Sequence, residues 1–484
     1  MKKTALLLFF SVHVAIAQDQ LRIGATRFIH TTGNANTFVG LQAGNTISSG
    51  FGNTFMGINT GVINTTGTWN TFIGGEAGRG NIAGNNNVFL GVAAGYTNTA
   101  SENTFIGVQS GAYNTSGTQN SFLGRSAGFS NTTGSNNTFL GNLAGGFNVQ
   151  GGSNTFVGYA AGWKNTAGNN VAVGTSAGSF NTTGARNTFI GTLAGLGAEN
   201  TNTGSDNTFV GESAGLKISS GSNNTFIGQA VGSANTTGSG STFLGVDAGA
   251  VNSSGSNNTF VGQGSGLGNT TGANNTFIGF NAGFENVTGS NNIFLGRAAA
   301  PFGANKANLQ NAVAIGLYAR VSVNDAIVLG DFQNSNLKVG IGVHNPRYRL
   351  DVKGTTNFEV GYANPALKIN GRDFLGLDEQ GEFIVSNFKM KYKSENQWAD
   401  RVFKKGYVLM PLAQLDEYIK EHEHLPGIPT ASEAVEKGVS TQEMTAKLLE
   451  KVEELTRYVI ELKKENDSLK KDYKELIKAL STNK

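Results

Sequence analysis

Along the first three hundred residues the apolar positions follow neither a helical period nor a long strand alternation. A short apolar pair is set in a polar, glycine-rich stretch, and the whole arrangement repeats. Asn-Thr-Phe-(Ile/Leu/Val)-Gly recurs around Phe38, Phe55, Phe72, Phe89, Phe105, Phe122, Phe139, Phe156, Phe189, Phe209, Phe226, Phe243, Phe260, Phe277 and Phe294, with Ala172 standing where one Phe is missing. The step is 17 residues, apart from two steps of 16 and one of 20 between Phe189 and Phe209. A fixed period of this size means one small unit stacked on copies of itself.

Counting the Phe as position 0, Gly occupies +2 in all sixteen copies, as at Gly40, Gly57, Gly174 and Gly296. A second Gly occupies +6 in fifteen, with Ala300 the exception. The segments between units read Asn-Thr-Thr-Gly-Ser-Asn or close to it, as from Asn131 to Asn136. These are turn residues, because Gly and Asn tolerate positive φ and Ser and Thr hydroxyls bond to local backbone. Helix formers are nearly absent, which excludes helical repeats. The pattern therefore predicts a mainly β chain, a parallel β-solenoid of coils about 17 residues long. Each coil should hold a strand around Thr-Phe-Ile, a turn, a second short strand over the small residues and another turn.

Stacked coils place equivalent residues about 4.8 Å apart, so sixteen would form a rod of roughly 75 Å. Asn occupies −2 in fifteen of sixteen copies, Ser241 being the exception, which suits a ladder of amides along the axis. Such a ladder accounts for the period of the Asn-x-Thr sites, and N-linked glycosylation does not. Phe and the residue after it must point to opposite faces of their strand. Whichever faces outward forms a continuous apolar stripe, at about 2 kcal/mol of unrealised burial per side chain. Monomers do not expose stripes of that size, so several rods are expected to pack along their length.

Composition divides the chain near residue 300. From Gln18 to Ala300 there are 16 charged residues in 283, whereas the 184 from Pro301 onward carry 51 and hold every Pro. Ahead of both, Lys2 and Lys3 precede an apolar run from Ala5 to Phe10 that continues to Ala15-Ile16-Ala17. That order reads as a cleaved secretory signal over 1–17, leaving Gln18 first, without a Cys to carry a lipid. The expected organisation is a solenoid head over 18–300, shorter repeats over 301–340, a β connector over 341–397, a small α/β module over 398–440 and a coiled coil over 441–484.

The shorter repeats, Asn311-Ala312-Val313-Ala314-Ile315-Gly316, then Ala319, Val321 and Ala326-Ile327-Val328-Leu329-Gly330, closely resemble the head repeats of trimeric autotransporter adhesins. That family's head is a trimer of left-handed β-rolls, and the longer Phe-bearing units look like a 17-residue variant of the same coil. The resemblance spans about residues 34 to 330, implies a homotrimer and brings no catalytic residues. It departs at the C-terminus, where the family ends in a membrane β-barrel of alternating strands and this chain has no such pattern. Val339 to Pro346 with Leu350 to Gly354 resembles the β connector of secreted and phage-tail-type fibres. Trp398 to Phe403 and His424 to Pro429 resemble a terminal module of exported bacterial fibre-like proteins.

From Thr441 the composition becomes helical. Leu448, Leu455, Leu462, Leu469 and Leu476 recur every seven residues, with Val452, Val459, Asn466, Tyr473 and Leu480 four after each. This predicts a five-heptad coiled coil with Leu at d. Asn466 at an a position speaks for a parallel dimer, while the head resemblance implies a trimer. An amphipathic helix folded onto a core fits less well, since the flanking positions are nearly all charged.

Candidate chemistry is sparse. The chain has no Cys, 5 His and a formal net charge of +3, which gives no thiolate site and no electrostatic footprint for nucleic acid. His422-Glu423-His424 has two His two apart, not the four that set a zincin pair on one helical face. Gly262 to Gly266 is a turn of the repeat without the Lys-Ser/Thr of a phosphate loop, and the repeats lack the aspartates of calcium-binding rolls. No cofactor and no metal are expected, and no segment reaches the roughly 20 apolar residues of a membrane span. The resulting expectation is a secreted, non-enzymatic, trimeric surface fibre, structural or adhesive, with a glycan or matrix ligand. A phage-derived tail-fibre-like protein and an ice-binding solenoid, with Thr ladders at Thr37, Thr54 and Thr71, are the alternatives.

Overall fold

The structure is a computed structural model that describes residues 20–23, 26–32, 35–198, 202–353, 367–369, 372–377, 383–384 and 398–482. The expected signal segment 1–17 and most of the connector at 341–397 lie outside the described residues. The chain forms two compact units, one ending at Lys353 and one beginning at Gly354.

The first unit is a parallel β-solenoid. Strand β1 (Gln20–Ile23) pairs antiparallel with β2 (Thr26–Thr32), and β2 pairs antiparallel with the first coil strand, β3 (Asn36–Val39). The antiparallel pair covers an edge that would otherwise offer unpaired backbone groups. From β3 onward every strand joins the next in parallel, residue for residue, so that Phe38 meets Phe55 and Phe55 meets Phe72. The stack continues to Ile293–Leu295, Val313–Ile315 and Ile327–Leu329.

Phe is the residue that faces inward. Phe38, Phe55, Phe72, Phe105, Phe139, Phe189, Phe226, Phe260 and Phe277 are all buried, as are the remaining Phe of the series. Their rings form one column; those of Phe122 and Phe139 lie 4.6 Å apart and 4° from parallel. Offset stacking of this kind adds about 0.5–1.5 kcal/mol per pair beyond area burial. The glycine at +6 makes the room: a Cβ on Gly145 would lie 2.4 Å from the Phe139 ring. The glycine at +2 answers to the backbone, since Gly141 holds φ 142° and a Cβ there would lie 2.3 Å from the Gly158 carbonyl oxygen of the next coil.

The expected second strand is absent from the 17-residue coils. Between +2 and +8 the chain turns, with a left-handed residue at +4, as at Ser126 (φ 54°) and Leu143 (φ 62°), and another at the +6 glycine. Left-handed residues break the extended run that a strand needs. Among the described residues, a second parallel ladder forms only beyond the last Phe, Ala300–Pro301 with Arg320–Val321.

Two columns of amides line the interior. At −2, the Asn53 backbone N–H donates to Asn36 Oδ1 at 2.8 Å and Asn53 Nδ2 donates to the Gly67 carbonyl at 2.8 Å. The ladder thus bonds mainly side chain to backbone. The second column, at +9, uses the Asn that the sequence pattern suggests is a turn residue. Asn131 is buried, and its Nδ2 donates to Asn114 Oδ1 at 2.7 Å and to the Gly134 carbonyl at 2.9 Å. The column is not continuous, since the Oδ1 atoms of Asn64, Asn81, Asn148, Asn181 and Asn202 are buried without a hydrogen-bond partner.

Among the described residues, the second unit contains short antiparallel strands (Leu367–Ile369, Arg372–Leu377, Phe383–Ile384), a 3-10 helix (Ala399–Phe403) and three α-helices. These are α1 (Leu412–His422), α2 (Ala431–Lys437) and α3 (Thr441–Thr482). Thr430 and Glu433 form a reciprocal capping box at the start of α2. Its backbone N–H bond holds the Glu433 carboxyl below its ordinary range.

Candidate interaction surfaces

The strand wall of the solenoid presents two columns to the outside, because −1 and +1 flank an inward Phe. Position +1 is apolar in every coil strand, from Val39, Met56 and Ile73 to Ile278, Leu295, Ile315 and Leu329, and in none of them is it buried. Leu123 and Leu140 leave 47% and 43% of their surface open. Position −1 is mostly Thr, with Thr37, Thr54 and Thr71 in direct register. The result is a long wall of Thr and branched apolar side chains with no covering element among the described residues.

A second surface lies on the wall that the Phe rings point to. After the +6 glycine, positions +7 or +8 carry Tyr96, Tyr113, Phe129, Phe147, Trp163 and Phe180 in six successive coils. Tyr113 and Phe129 pack edge to face at 4.9 Å and 89°, and Phe147 and Trp163 at 5.2 Å and 77°. Tyr113 and Phe147 are exposed, and the other four are half-buried. Arg79 lies over the Tyr96 ring and donates to its hydroxyl, while Lys164 Nζ stands 5.3 Å from the Trp163 ring. Elsewhere these positions hold residues as small as Ser233 and Ala234, so the coil itself does not require an aromatic there.

Near the end of the stack a cleft of about 690 Å³ is lined by Glu285, Phe302, Lys306, Tyr318, Arg320 and Phe332, among others. Glu285 pairs with Lys306 at 3.1 Å and with Arg320 at 3.0 Å. One carboxylate shared by two cations is a fastening between coils of different length. Among the described residues no three His, Asp or Glu stand close enough to hold a metal ion. His422 stacks on Tyr418 at 4.1 Å and its Nδ1 lies 3.1 Å from the Tyr418 carbonyl.

Helix α3 has two distinct faces. Its first turns pack against the 3-10 helix segment: Val402 and Tyr458 are buried, and Arg457 donates to the Val402 carbonyl at 2.9 Å. Arg401 pairs with Glu450, and Tyr407 donates to Glu454. Burial and these carboxylates push the Tyr407 hydroxyl above the ordinary tyrosine range. Glu453 lies on the same face, where its Oε2 is buried without a partner; desolvation, with Asp400 and Glu450 nearby, raises its carboxyl. With Leu at d, these contacts fall at b, c, f and g, with Tyr458 at g beside the seam. The seam of Leu448, Val452, Leu455, Val459, Leu462, Asn466, Leu469, Tyr473, Leu476 and Leu480 is exposed throughout. No helix among the described residues is long and apolar enough to cross a membrane. No protein-family model matches the chain, and no curated protein matches it in a sequence search.

Proposed function

We propose that the chain is an exported, non-enzymatic fibre, a homotrimer displayed at the cell surface or outside the cell, with a structural or adhesive role. In this reading the solenoid is a left-handed β-roll head, residues 398–440 belong to a small α/β module and α3 is a coiled-coil stalk. One observation carries it: position +1 leaves an unburied apolar column along every strand of the stack. Covering that wall with copies of itself removes the column from water along its whole length at about 25 cal/mol per Å². The exposed Leu seam of α3 supports the same reading, because its outer positions are already occupied by the chain's own 3-10 helix.

The experiment is sedimentation of the intact protein, which should give about three times the mass of one chain and an elongated shape. A single-chain mass rejects the proposal, and a two-chain mass, the number that Asn466 favours, rejects the trimer. The in-register Thr column supports a second reading, ice binding. Thermal hysteresis in a solution of the protein would favour it over adhesion.

A further inference from the structure

The aromatic ridge is not explained by the fold. The interior of a coil is complete with its Phe, its glycines and its two Asn columns, and coils with Ser233 and Ala234 at +7 and +8 stack as well as those with Trp163 and Lys164. Yet six successive coils place an aromatic side chain at this corner and leave it half-exposed or exposed. The rings are held by edge-to-face contacts of 4.9 Å for Tyr113 with Phe129, 5.2 Å for Phe147 with Trp163 and 6.2 Å for Trp163 with Phe180. Fixed rings lose little side-chain entropy when a ligand lies on them. From the coil of Phe72 to that of Ala172, the charged residues at +7 and +8 are the cations Arg79, with the Glu76 carboxylate 3.9 Å away, and Lys164.

We propose that the ridge from Arg79 to Phe180 binds an acidic polysaccharide lying along the stacking axis. The apolar C–H faces of pyranose rings match aromatic rings spaced along the axis and alternating in orientation from one coil to the next. Carboxylates on the sugars match the two cations, which bring both charge and hydrogen-bond donors. The ridge lies across the Phe column from the apolar strand wall, so assembly through that wall leaves it open. Each copy presents it again, and weak contacts then add through effective concentration. The inference rests on the extracellular-fibre reading for its setting, but it can fail separately.

The test measures binding of the full chain to immobilised alginate, a polyuronate, with neutral dextran as the comparison and solution mass recorded in parallel. Alginate should bind, weakening as salt screens the cations, and dextran should bind far less. Trp163→Ala and Phe147→Ala should each weaken binding roughly tenfold, the scale of a buried aromatic contact in an interface. Lys164→Gln, which leaves the ring packing in place, should weaken it and flatten the salt dependence. Val251→Ala, at +8 in a coil without an aromatic there, should change nothing. Absence of alginate binding, equal binding to dextran, or unaltered binding by the ridge variants would overturn the proposal. So would a ridge variant that lowers the oligomer mass, since the ridge would then be a contact between copies. A single-chain parent that still binds alginate through these residues would reject only the trimer.

Discussion

Phe139 and Leu140 are neighbours on one three-residue strand, and the solenoid gives them opposite roles. Phe139 is fully buried between Phe122 and Phe156, at 4.6 and 4.9 Å, with Gly145 against its ring. Replacing it by Ala removes the ring and two stacked contacts and leaves a cavity, at about 3–5 kcal/mol. The chain contains a natural comparison at Ala172. There the Phe189 ring reaches the vacant place, lying 2.6 Å from where a Cβ on Gly178 would stand. If Phe122 or Phe156 leans in the same way, the cost for Phe139→Ala falls toward the lower end of that range.

Leu140 leaves 43% of its surface open in a single chain. In a lone rod Leu140→Ser should cost about 1 kcal/mol, because only part of the leucine is buried to begin with. In an assembled head the same wall is covered, so the cost rises to that of a core leucine, about 2–3 kcal/mol in each chain. The assay is thermal unfolding of the intact protein by circular dichroism at several concentrations, with mass by sedimentation. Phe139→Ala should lower the melting temperature at every concentration. Leu140→Ser should lower it mainly by weakening association, so its deficit should shrink as concentration rises. A small loss from Leu140→Ser that does not change with concentration, in a sample of single-chain mass, would refute the packed wall, and unchanged melting of Phe139→Ala would refute the Phe column itself.

Three further outcomes test other parts of the molecule. Asn131→Asp places a carboxylate beside the Asn114 carbonyl oxygen and the Gly134 carbonyl, where Nδ2 now donates, and should cost roughly 3 kcal/mol. Asn131→Ile should be milder in the same melting assay, since Ile218 occupies that column natively and is fully buried. Leu455→Asp with Leu462→Asp should reduce the solution mass of the intact protein by placing charge in a closed seam; an unchanged mass would reject the coiled coil. Glu453 has a folded-state pKa above its unfolded value. Its contribution is therefore most favourable at low pH and is lost as pH rises from about 4.3 through the folded value. Glu453→Gln should remove that part of the pH slope in denaturant titrations and be more stable than the parent at neutral pH.

The strand positions and the coil period were legible in the sequence because Phe and the +2 glycine repeat nearly without fault. Which of Phe and its neighbour points inward was not legible from alternation, which is symmetrical about the strand. The deciding clue was the +6 glycine, whose hydrogen leaves room for a ring. The Asn at +9 looked like a turn residue because it precedes Thr-Thr-Gly, but Ile47 and Ile218 in the same column mark a position that faces inward. The expected second strand failed because the residues that suggest it, small and apolar around Ala43 or Ala144, sit between left-handed residues and are buried by turning inward. The aromatic ridge is not legible from the repeat, since it alternates between +7 and +8 and so has no fixed place in it. The packing of α3 on residues 399–410 joins segments some fifty residues apart, as Arg457 and Val402 do, and no local pattern encodes it.

These columns also indicate where such a molecule is free to vary. Positions −2, 0, +2, +5, +6 and +9 are committed to the interior or to backbone fit, and substitution there is paid in stability. Position +1 stays apolar even though a single chain gains little from it, which is hard to account for unless something covers the wall. Position +3 and whichever of +7 and +8 is exposed change from coil to coil: at +3 alone the chain uses Leu41, Val92, Arg125, Tyr159, Glu212 and Arg297. In a solenoid each such side chain is repeated at the coil spacing by its neighbours above and below. A change in one coil therefore alters one rung of a surface and leaves the stack intact, as the salt bridge of Arg186 with Asp206 at 2.6 Å does between adjoining coils. Recognition built in this way depends on runs of rungs, and the six aromatic residues from Tyr96 to Phe180 form such a run on the described surface.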